Sequence, residues 1–303
     1  MPRKPHVYSQ INLLRERYYK ALPGKEHLIK IISETEIPEH VYNSNAIENS
    51  TLTLEETEKI LLELDLDRYI SQRELFEAKN LARVMQYLDT KAKEAELSLE
   101  MMLLLHRMLI SNIRDEIAGR FRKTGEWVRV GTHIGADPQH VERLLTEMLA
   151  LYHGTKDGHI VARLAKLHLT FEQIHPFCDG NGRIGRVVNN YELIREGYVP
   201  INIAFTDRTR YYEAFKEYDE KGSTKIMEEI MSRALTNSYH KRLAYLESKT
   251  IIPLREYAKQ KRLSYSNLLN KAGRQTIPAF TEKGIWKIAS DFEALMPEPP
   301  SGR

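Results

Sequence analysis

The sequence predicts an all-α fold with one small β-hairpin, followed by a small C-terminal domain that combines helices and strands. Three observations lead to this fold class. Apolar residues recur at steps of three and four along most of the chain, which is the period of amphipathic helices. Only residues 126–135 break that period, with a short alternation and two glycines. Hydrophobic residues make up 42% of the 303 residues, which is enough for a sizeable core.

The helices begin and end at recognisable signals. Thr53–Glu56 is a capping box that opens one helix, and Pro38 is well placed to start a short helix over residues 39–48. Pro176 follows the end of another helix. The clearest apolar stripes are Leu75, Ala78, Ala82, Met85 and Leu88; Ile160, Leu164, Leu167, Phe171 and Ile174; and Ile184, Val187, Val188, Tyr191 and Ile194. Each stripe predicts a helix with one face toward the core.

Composition and charge divide the chain into three parts. We predict an N-terminal helical segment over residues 1–37, a core domain over residues 38–235 that includes a helix at 38–49, and a C-terminal domain over residues 249–303. The net charge is +3, but residues 249–292 carry nine Lys or Arg against three carboxylates, a balance of +6. The rest of the chain is therefore near −3, and the C-terminal excess favours an anionic partner.

Composition also excludes several protein classes. The single cysteine, Cys178, rules out a disulfide within the chain and a cysteine zinc cluster. No stretch approaches the roughly 20 uninterrupted apolar residues of a membrane span. Residues 1–6 lead into no apolar signal core. We therefore expect a cytoplasmic protein with no membrane partner.

The stretch most informative about chemistry is His175–Arg186, which joins two amphipathic helices. Gly180, Asn181 and Gly182 let consecutive backbone N–H groups point into one concavity. The following helix N-terminus adds its own unpaired N–H groups and the positive end of its dipole. The sequence therefore predicts an anion site suited to phosphates.

Charged side chains around this loop predict a phosphoryl- or nucleotidyl-transfer site. Arg183 and Arg186 can fork onto phosphate oxygens. Asp179 offers the hard oxygen ligand that a Mg²⁺ ion bridging phosphates prefers. His175, at the end of the preceding helix, is suited to accept a proton. Catalysis at such a site consists mostly of positioning and charge neutralisation.

Three other interpretations of the loop are weaker. The glycine spacing of Gly180–Gly185 satisfies the dinucleotide-binding fingerprint, but that fingerprint follows a strand and here a helix precedes it. His168, His175 and Cys178 match no standard zinc ligand spacing. Cys178 is conceivable as a nucleophile, although a small packing residue is the simpler interpretation.

The stretch His175–Arg186 resembles the Fic signature, H-x-F-x-[D/E]-G-N-G-R-x-x-R, at every specified position. The resemblance extends over roughly residues 40–235, the span of a Fic core. It implies an all-helical Fic domain that uses ATP and Mg²⁺ to transfer AMP to a hydroxyl of a target protein. Many relatives self-associate, so a homo-oligomer is a candidate state, although the sequence does not indicate the oligomeric state.

The resemblance implies a role for each loop residue. His175 would deprotonate the incoming Ser, Thr or Tyr hydroxyl, Asp179 would hold Mg²⁺, and Phe177 would anchor the loop from beneath. Arg186 would receive the γ-phosphate, and Arg183 would help to hold both the phosphates and the loop. The complete set of implied phosphate contacts is Gly180, Asn181, Gly182, Arg183 and Arg186.

A second motif lies upstream of the core. Ser44, Glu48 and Asn49 fill the specified positions of a motif that resembles the family's inhibitory sequence, [S/T]-x-x-x-E-[G/N]. Its place before the core resembles the subclass with an N-terminal inhibitory helix. A glutamate docked on Arg186 would neutralise the charge that should receive the γ-phosphate, so the resemblance implies autoinhibition. The alternative is an ordinary helix glutamate with a surface partner.

Two further segments resemble the substrate sites of the family. One lies where relatives have a target-binding flap, and it comprises Trp127, Val128, Arg129, Val130 and Gly131. A target segment could pair with its edge by strand addition. The other, residues 208–215, resembles the segment that closes over the adenine, with Tyr212 and Phe215 as apolar walls. Relatives often have a nucleotide-contacting asparagine one turn later, where this chain has Asp219.

Within the C-terminal domain the sequence predicts two helices and two strands. These are helices Leu254–Leu263 and Tyr265–Gly273 and strands Thr276–Phe280 and Gly284–Ile288, after an entry segment Ile251–Pro253. The order resembles a small winged helix-turn-helix module of the excisionase type. Basic residues around the helices favour DNA phosphates, namely Lys259, Lys261, Arg262, Lys271 and Arg274. Such modules also dock on proteins, so DNA and protein are both candidate partners.

The resemblance leaves other functions open. Some relatives transfer phosphate, UMP or phosphocholine, and others remove AMP from their targets. A DNA-associated regulator with a vestigial Fic core is a further alternative. Retention of His175, Asp179 and both arginines argues against a vestigial site, because a decayed site has no need of them together.

Overall fold

A computed structural model of the chain describes residues 7–130, 133–155, 157–247 and 250–293. These residues form two compact units. Unit 1 contains Ile31–Leu235 together with the chain up to Tyr8, and unit 2 contains Ser9–Lys30 and the chain from Thr236 onward. In the described ranges no helix is both long enough and apolar enough to cross a membrane.

The described residues are mainly helical, so the predicted fold class is confirmed. The α-helices are α1 Val7–Ala21, α2 Glu26–Ile47, α3 Leu54–Leu61, α4 Gln72–Lys91, α5 Leu99–Ile110, α6 Val141–Gly154, α7 Ile160–Ile174, α8 Asn181–Arg195, α9 Arg208–Lys221, α10 Lys225–Glu247, α11 Leu254–Gln260 and α12 Tyr265–Gly273. The strands are β1 Arg129–Val130, β2 His133–Ile134, β3 Ile251–Pro253, β4 Phe280–Glu282 and β5 Ile285–Ala289.

Helix α8 is the central element of unit 1. It packs against α4, α5 and α7, and every residue from Arg183 to Ile194 is buried. The prediction of a single core-facing stripe on this helix was therefore wrong. Burial of Asn190 is compensated, because it accepts from the N–H of Ile201 at 2.8 Å and donates to its carbonyl at 3.0 Å, whereas the side-chain amide of Asn189 is buried without a hydrogen-bond partner among the described residues. The buried helix places its N-terminus at the base of a cleft.

Helix α2 corrects the predicted role of Pro38. This proline does not start a short helix but lies inside a helix of 22 residues. A proline within a helix removes one backbone donor and costs about 3 kcal/mol in a helix without tertiary support. Here Ile37 and Val41 on either side are buried, so packing of α2 in the core of unit 1 outweighs that cost.

The predicted hairpin is present but short. Strands β1 and β2 pair antiparallel, with Arg129 opposite Ile134 and Val130 opposite His133. The N–H of Gly135 bonds to the carbonyl of Val128 at 3.1 Å and extends the pairing by one step. Gly131, which we predicted as part of this flap, lies outside the described residues.

Unit 2 contains a three-stranded antiparallel sheet in the order β3, β5, β4. Its core includes Leu254 and Tyr257 from α11, Leu268 and Ala272 from α12, and Ile288 from β5. Helix α12 has the predicted bounds. The boundaries of the three predicted domains stay predictions, as does the assignment of the C-terminal part to the winged helix-turn-helix class.

Three details of unit 2 differ from the sequence prediction. Helix α11 stops at Gln260 rather than Leu263, because Arg262 adopts a left-handed backbone with φ 55°. The first predicted strand, residues 276–280, was placed too early, since strand β4 begins only at Phe280. Ile251–Pro253 is itself strand β3 and pairs with β5. Three residues are too few for a strand to show a periodic pattern.

Candidate active site

The loop between α7 and α8 has a left-handed residue at each end. His175 follows the last residue of α7 with φ 51° and ψ 62°, and Gly180 precedes α8 with φ 81°. Asn181 closes the loop from within, because its side chain accepts from the N–H of Phe177 and donates to the carbonyl of Phe177, each at 2.8 Å. These contacts hold the loop in one conformation.

Phe177 lies beneath this loop. Its side chain is fully buried and stacks on the ring of His106, with centroids 3.8 Å apart and planes 7° from parallel. His106 also contacts the loop through its Nε2, which lies 3.1 Å from the carbonyl oxygen of Asp179. His106 was not predicted from the sequence, because it belongs to no recognisable motif.

A cleft of about 1030 Å³ opens above the loop. Its walls combine the loop with the flap, the end of α2 and the face of α9. Among its lining residues are Glu48, Val128, Arg129, His133, Glu172, His175, Asp179, Gly180, Asn181, Gly182, Tyr211, Tyr212, Phe215 and Asp219. Residues from four predicted segments therefore meet at one site.

His175 is placed as a neutral proton acceptor. Its Nδ1 lies 3.2 Å from the backbone carbonyl of Glu172. A carbonyl can only accept, so Nδ1 carries the proton and Nε2 keeps its lone pair. Burial lowers the pKa of His175 to about 4, and the charge of Arg122 acts in the same direction. The imidazole is therefore unprotonated at neutral pH.

Asp179 lies on the cleft wall as a carboxylate. Its Oδ2 accepts from Arg73 at 2.7 Å and its Oδ1 accepts from Arg183 at 3.3 Å. Burial alone would raise the pKa of Asp179, but the charges of Arg183 and Arg73 hold it below its usual value. Arg183 itself is buried, with its Nη1 3.1 Å from Glu77. In this structure Arg183 braces the loop, and Arg73 and Glu77 are partners that the sequence analysis missed.

This carboxylate fits a magnesium ion. The described residues contain no cluster of three metal-ligating side chains. Magnesium is commonly held by one or two protein carboxylates together with substrate phosphates and water. A single ionised aspartate beside the N-terminus of α8 is such an arrangement.

Arg186 receives the predicted inhibitory motif. Its Nη2 lies 2.9 Å from Glu48 Oε1 and 2.8 Å from the carbonyl oxygen of Ser44, and its Nε donates to the Ser44 hydroxyl at 2.9 Å. The remaining Nη1 donates to the Tyr211 hydroxyl at 3.1 Å. Burial alone would lower the pKa of Arg186, but Tyr211 and Glu48 raise it above its ordinary value. The guanidinium is thus held as a cation with its donors occupied.

The carboxylate of Glu48 also reaches the first turn of α8. A side-chain carbon at position 182 would overlap Glu48 Oε1, so only a glycine admits the carboxylate there. Carboxylates are favoured at helix N-termini for the same reasons as phosphates. Glu48 therefore lies at the predicted phosphate site.

The end of α2 is held in place by α9. Arg208 donates to the carbonyl of Ile47 at 2.9 Å and to the side-chain oxygen of Asn49 at 2.6 Å. Tyr212 donates to the same Ile47 carbonyl at 3.3 Å. The segment predicted to cover the adenine thus also contacts the inhibitory motif.

The predicted aromatic wall is only part of an aromatic group on α9. Phe215 makes an edge contact with Tyr211, with ring centroids 4.8 Å apart. Tyr211, which the sequence analysis missed, is buried, and its hydroxyl contacts His168 Nε2 at 2.7 Å. Asp219 accepts from Gln173 at 2.7 Å on the cleft wall.

Arg122 joins the flap to the catalytic loop. Its guanidinium donates to four carbonyl oxygens: those of His175 at 2.8 Å, Glu126 at 2.9 Å, Ala136 at 2.6 Å and Ile174 at 3.2 Å. Two of these acceptors lie at the C-terminal end of α7, where helix carbonyls lack helical partners and a cation is favoured. The buried arginine therefore fixes the backbone around His175, a role that no local pattern in the sequence indicates.

Glu172 is a buried carboxyl behind His175. Its Oε2 lies 3.6 Å from His175 Nδ1, and its Oε1 is buried without a hydrogen-bond partner among the described residues. Burial, with a smaller contribution from the charge of Glu48, raises the pKa of Glu172 to about 8. Its position one helical turn before His175 is the signal by which the sequence could have revealed it.

Replacing Glu172 with glutamine should stabilise the protein increasingly as the pH rises. The pKa of Glu172 is about 8 in the folded protein and 4.5 when the residue is unperturbed, so the folded state binds the proton more tightly. The resulting contribution to the free energy of unfolding is fully present below pH 4.5 and is lost as the pH rises to about 8. We expect Glu172→Gln to melt close to wild type at pH 5 and above it at pH 8.5. The exposed Glu213→Gln is the control and should show no such divergence. Parallel melting curves for Glu172→Gln and wild type would contradict the prediction.

Comparison with known proteins finds Fic proteins by sequence and the same fold by structure. A model of the Fic/DOC family matches residues 96–193. The chain is 28% identical over 252 residues to "Protein adenylyltransferase Fic" of Nematostella vectensis, covering 82% of this chain and 57% of that protein. It is 31% identical over 187 residues to the protein of that name from Drosophila grimshawi, and the match covers 60% of this chain and 38% of that protein. The chain thus spans about half or less of these curated relatives.

Solved structures have the same fold. A Fic domain containing signaling protein from Bacteroides thetaiotaomicron aligns with a TM-score of 0.70 at 23% identity, over 78% of this chain and 96% of that one. A Fic family protein from Desulfovibrio desulfuricans aligns with a TM-score of 0.64 at 19% identity, over 97% of this chain and 98% of that one. The motif at residues 175–186 lies wholly within the matched family region. The chain therefore carries a domain of the Fic/DOC family.

Proposed function

We propose that the cleft transfers AMP from ATP to a Ser, Thr or Tyr hydroxyl of a target protein, and that Glu48 holds the enzyme inactive. The observation that carries this proposal is the meeting of an unprotonated His175, an ionised Asp179 and the N-terminus of α8 in one cleft. Relatives named protein adenylyltransferase support the choice of reaction.

The phosphates of ATP bind at the N-terminus of α8. The backbone N–H groups of Gly180, Asn181 and Gly182 supply donors there, and the helix dipole favours the anion. Arg186 receives the γ-phosphate, which orients the chain of phosphates in the cleft. Asp179 holds the magnesium ion, which supplies charge neutralisation when it is bound.

His175 acts as the general base. The target hydroxyl loses its proton to Nε2 of His175 as its oxygen attacks the α-phosphorus. A new phosphorus–oxygen bond forms, the bond to the bridging oxygen breaks, and pyrophosphate leaves with the bonding electrons. Arg122 and the carbonyl of Glu172 keep the imidazole oriented for this step.

The target reaches the cleft beside the flap. Val128 and Arg129 line the cleft, and Trp127 next to them is 58% exposed. An extended segment of the target can add to the flap by backbone hydrogen bonds, which places its hydroxyl near His175. Tyr212 and Phe215 form the apolar wall for the adenine on the opposite element, α9.

Glu48 inhibits by occupying the positions of the γ-phosphate. Its carboxylate pairs with Arg186 and lies against Gly182, so the phosphates of ATP cannot take their productive places while it is docked. Ser44 fixes the orientation of the same guanidinium through two further hydrogen bonds. ATP bound beside the docked glutamate would have its α-phosphorus out of line with His175.

Isotope-labelled ATP tests the reaction. Purified Glu48→Gly protein is incubated with Mg²⁺ and ATP that carries the label on either the α- or the γ-phosphate, and protein-bound label is counted. We expect label from the α-position alone, with an intact-mass gain of one or more AMP units. Retained γ-label would reassign the site to phosphate transfer. Label from neither position, on the protein itself or on lysate proteins, would reject nucleotide transfer.

A further inference from the structure

Helix α12 presents a face whose composition is distinct from the rest of unit 2. Leu268 and Ala272 are buried in the core of the unit. The opposite side of the helix is exposed and carries Ser266, Asn267, Asn270, Lys271, Gly273 and Arg274. These positions fall within one half of the helix circumference, because they are linked by steps of three and four residues, which share a face. We refer to these six residues as the polar face of α12.

The surroundings of the polar face are strongly basic. From Leu254 to Arg274 the chain has six Lys or Arg and one carboxylate, Glu256. Lys261 and Arg262, which lead into α12, are exposed, as are Lys271 and Arg274. Within the parts of the chain that the structure describes, none of these four cations forms an ion pair. Their charge is therefore available to an external anion.

We propose that the polar face of α12 binds double-stranded DNA in the major groove. The helix has nine residues, and with side chains an α-helix is about 10–12 Å across, which suits a groove about 12 Å wide. Lys271 and Arg274 contact backbone phosphates. Asn267 and Asn270 reach base edges, where an asparagine can pair with adenine through two hydrogen bonds. This surface belongs to unit 2, and its function does not depend on AMP transfer.

The chemistry of the face favours DNA over other partners. Protein-docking surfaces have an apolar or aromatic centre. Here the centre consists of amides, a hydroxyl and cations, and Leu269 at its margin is only 36% exposed. Double-stranded RNA is disfavoured because its major groove is too narrow for a helix. An uncharged amide pair beside two cations is suited to base reading combined with phosphate contact.

Fluorescence anisotropy with the full chain tests the phosphate contacts. A labelled 30-base-pair duplex with a randomised centre is titrated at several KCl concentrations. Lys271→Gln/Arg274→Gln should bind about tenfold more weakly than wild type at about 100 mM salt, and the slope of log K against log salt should fall by about 1.8. Lys93→Gln/Arg83→Gln, which removes one exposed lysine and one exposed arginine from unit 1, is the matched control and should bind like wild type.

Selection from the same randomised duplex tests base reading. Wild type should enrich a motif, and Asn270→Ala should bind the enriched duplex on the order of tenfold more weakly while binding the starting pool as wild type does. All substitutions lie on an exposed face, so thermal melting should be unchanged. Absence of binding at 50 mM KCl, equal binding by wild type and Lys271→Gln/Arg274→Gln, or a failure to enrich any motif would each overturn the proposal. Self-association through α12 in place of DNA binding would overturn it too.

Discussion

Replacing His175 with alanine should reduce AMP transfer by at least about a thousandfold, which is the upper range for loss of a general base. The pKa of His175, about 4, means that the imidazole is a free base at neutral pH. The measurement is the rate of α-label incorporation in the Glu48→Gly background, where transfer is not inhibited.

The control separates chemistry from folding and binding. His140 is exposed at the start of α6 and does not line the cleft, so His140→Ala should leave the rate unchanged. His175→Ala should still bind ATP, because the phosphate site lies on α8 rather than on the imidazole. A His175→Ala protein that binds ATP and transfers AMP at more than about a tenth of the parent rate would show that another base is used.

Replacing Glu48 with glycine should raise AMP transfer by about 10- to 100-fold. Hydrogen bonds to charged groups contribute about 1.5–3 kcal/mol each, and that is the free energy with which Glu48 competes for Arg186 against the γ-phosphate. Glu48 follows the last residue of α2, so glycine there does not interrupt the helix. Automodification or labelling of target proteins measures the increase.

Glycine at position 48 should also change stability in a way that ATP reverses. Without Glu48 the buried Arg186 loses its carboxylate partner, so the melting temperature should fall. Added ATP should raise it more than in wild type, because the γ-phosphate replaces the carboxylate. Glu63→Gly is the control: Glu63 also follows a helix and pairs with a lysine, Lys79, at 3.4 Å, and its left-handed backbone (φ 56°) accommodates glycine, so the melting temperature should not fall. Equal transfer by Glu48→Gly and wild type would refute autoinhibition.

The loop at residues 175–186 could be predicted from the sequence because its chemistry is local. Glycines, an asparagine, an acid and two arginines within twelve residues specify a backbone nest and its charges without any distant partner. The contact of Glu48 with Arg186 spans 138 residues of chain and was foreseen only through resemblance to a family motif. The charge of each residue indicated the charge that its partner should carry, but not which residue that partner is.

Residues that support the loop from other elements could not be predicted in this way. Arg122 contacts four carbonyls from three segments, and His106 stacks under Phe177 from α5. Backbone carbonyls occur at every residue, so an arginine that binds them leaves no partner signature in the sequence. Pro38 shows the converse case, because a local signal for the start of a helix was overridden by packing on both sides of it.

The sequence by itself determined the helical class, the motif loop and the chemical types of its ligands, since periodicity, glycine placement and charge act over a few neighbouring residues. Tertiary structure alone decided that α8 is buried on all sides, that Glu172 is desolvated behind His175, and that Asp179 is held ionised by Arg73. Burial and pairing depend on what surrounds a side chain in space, and that information is distributed over the whole fold.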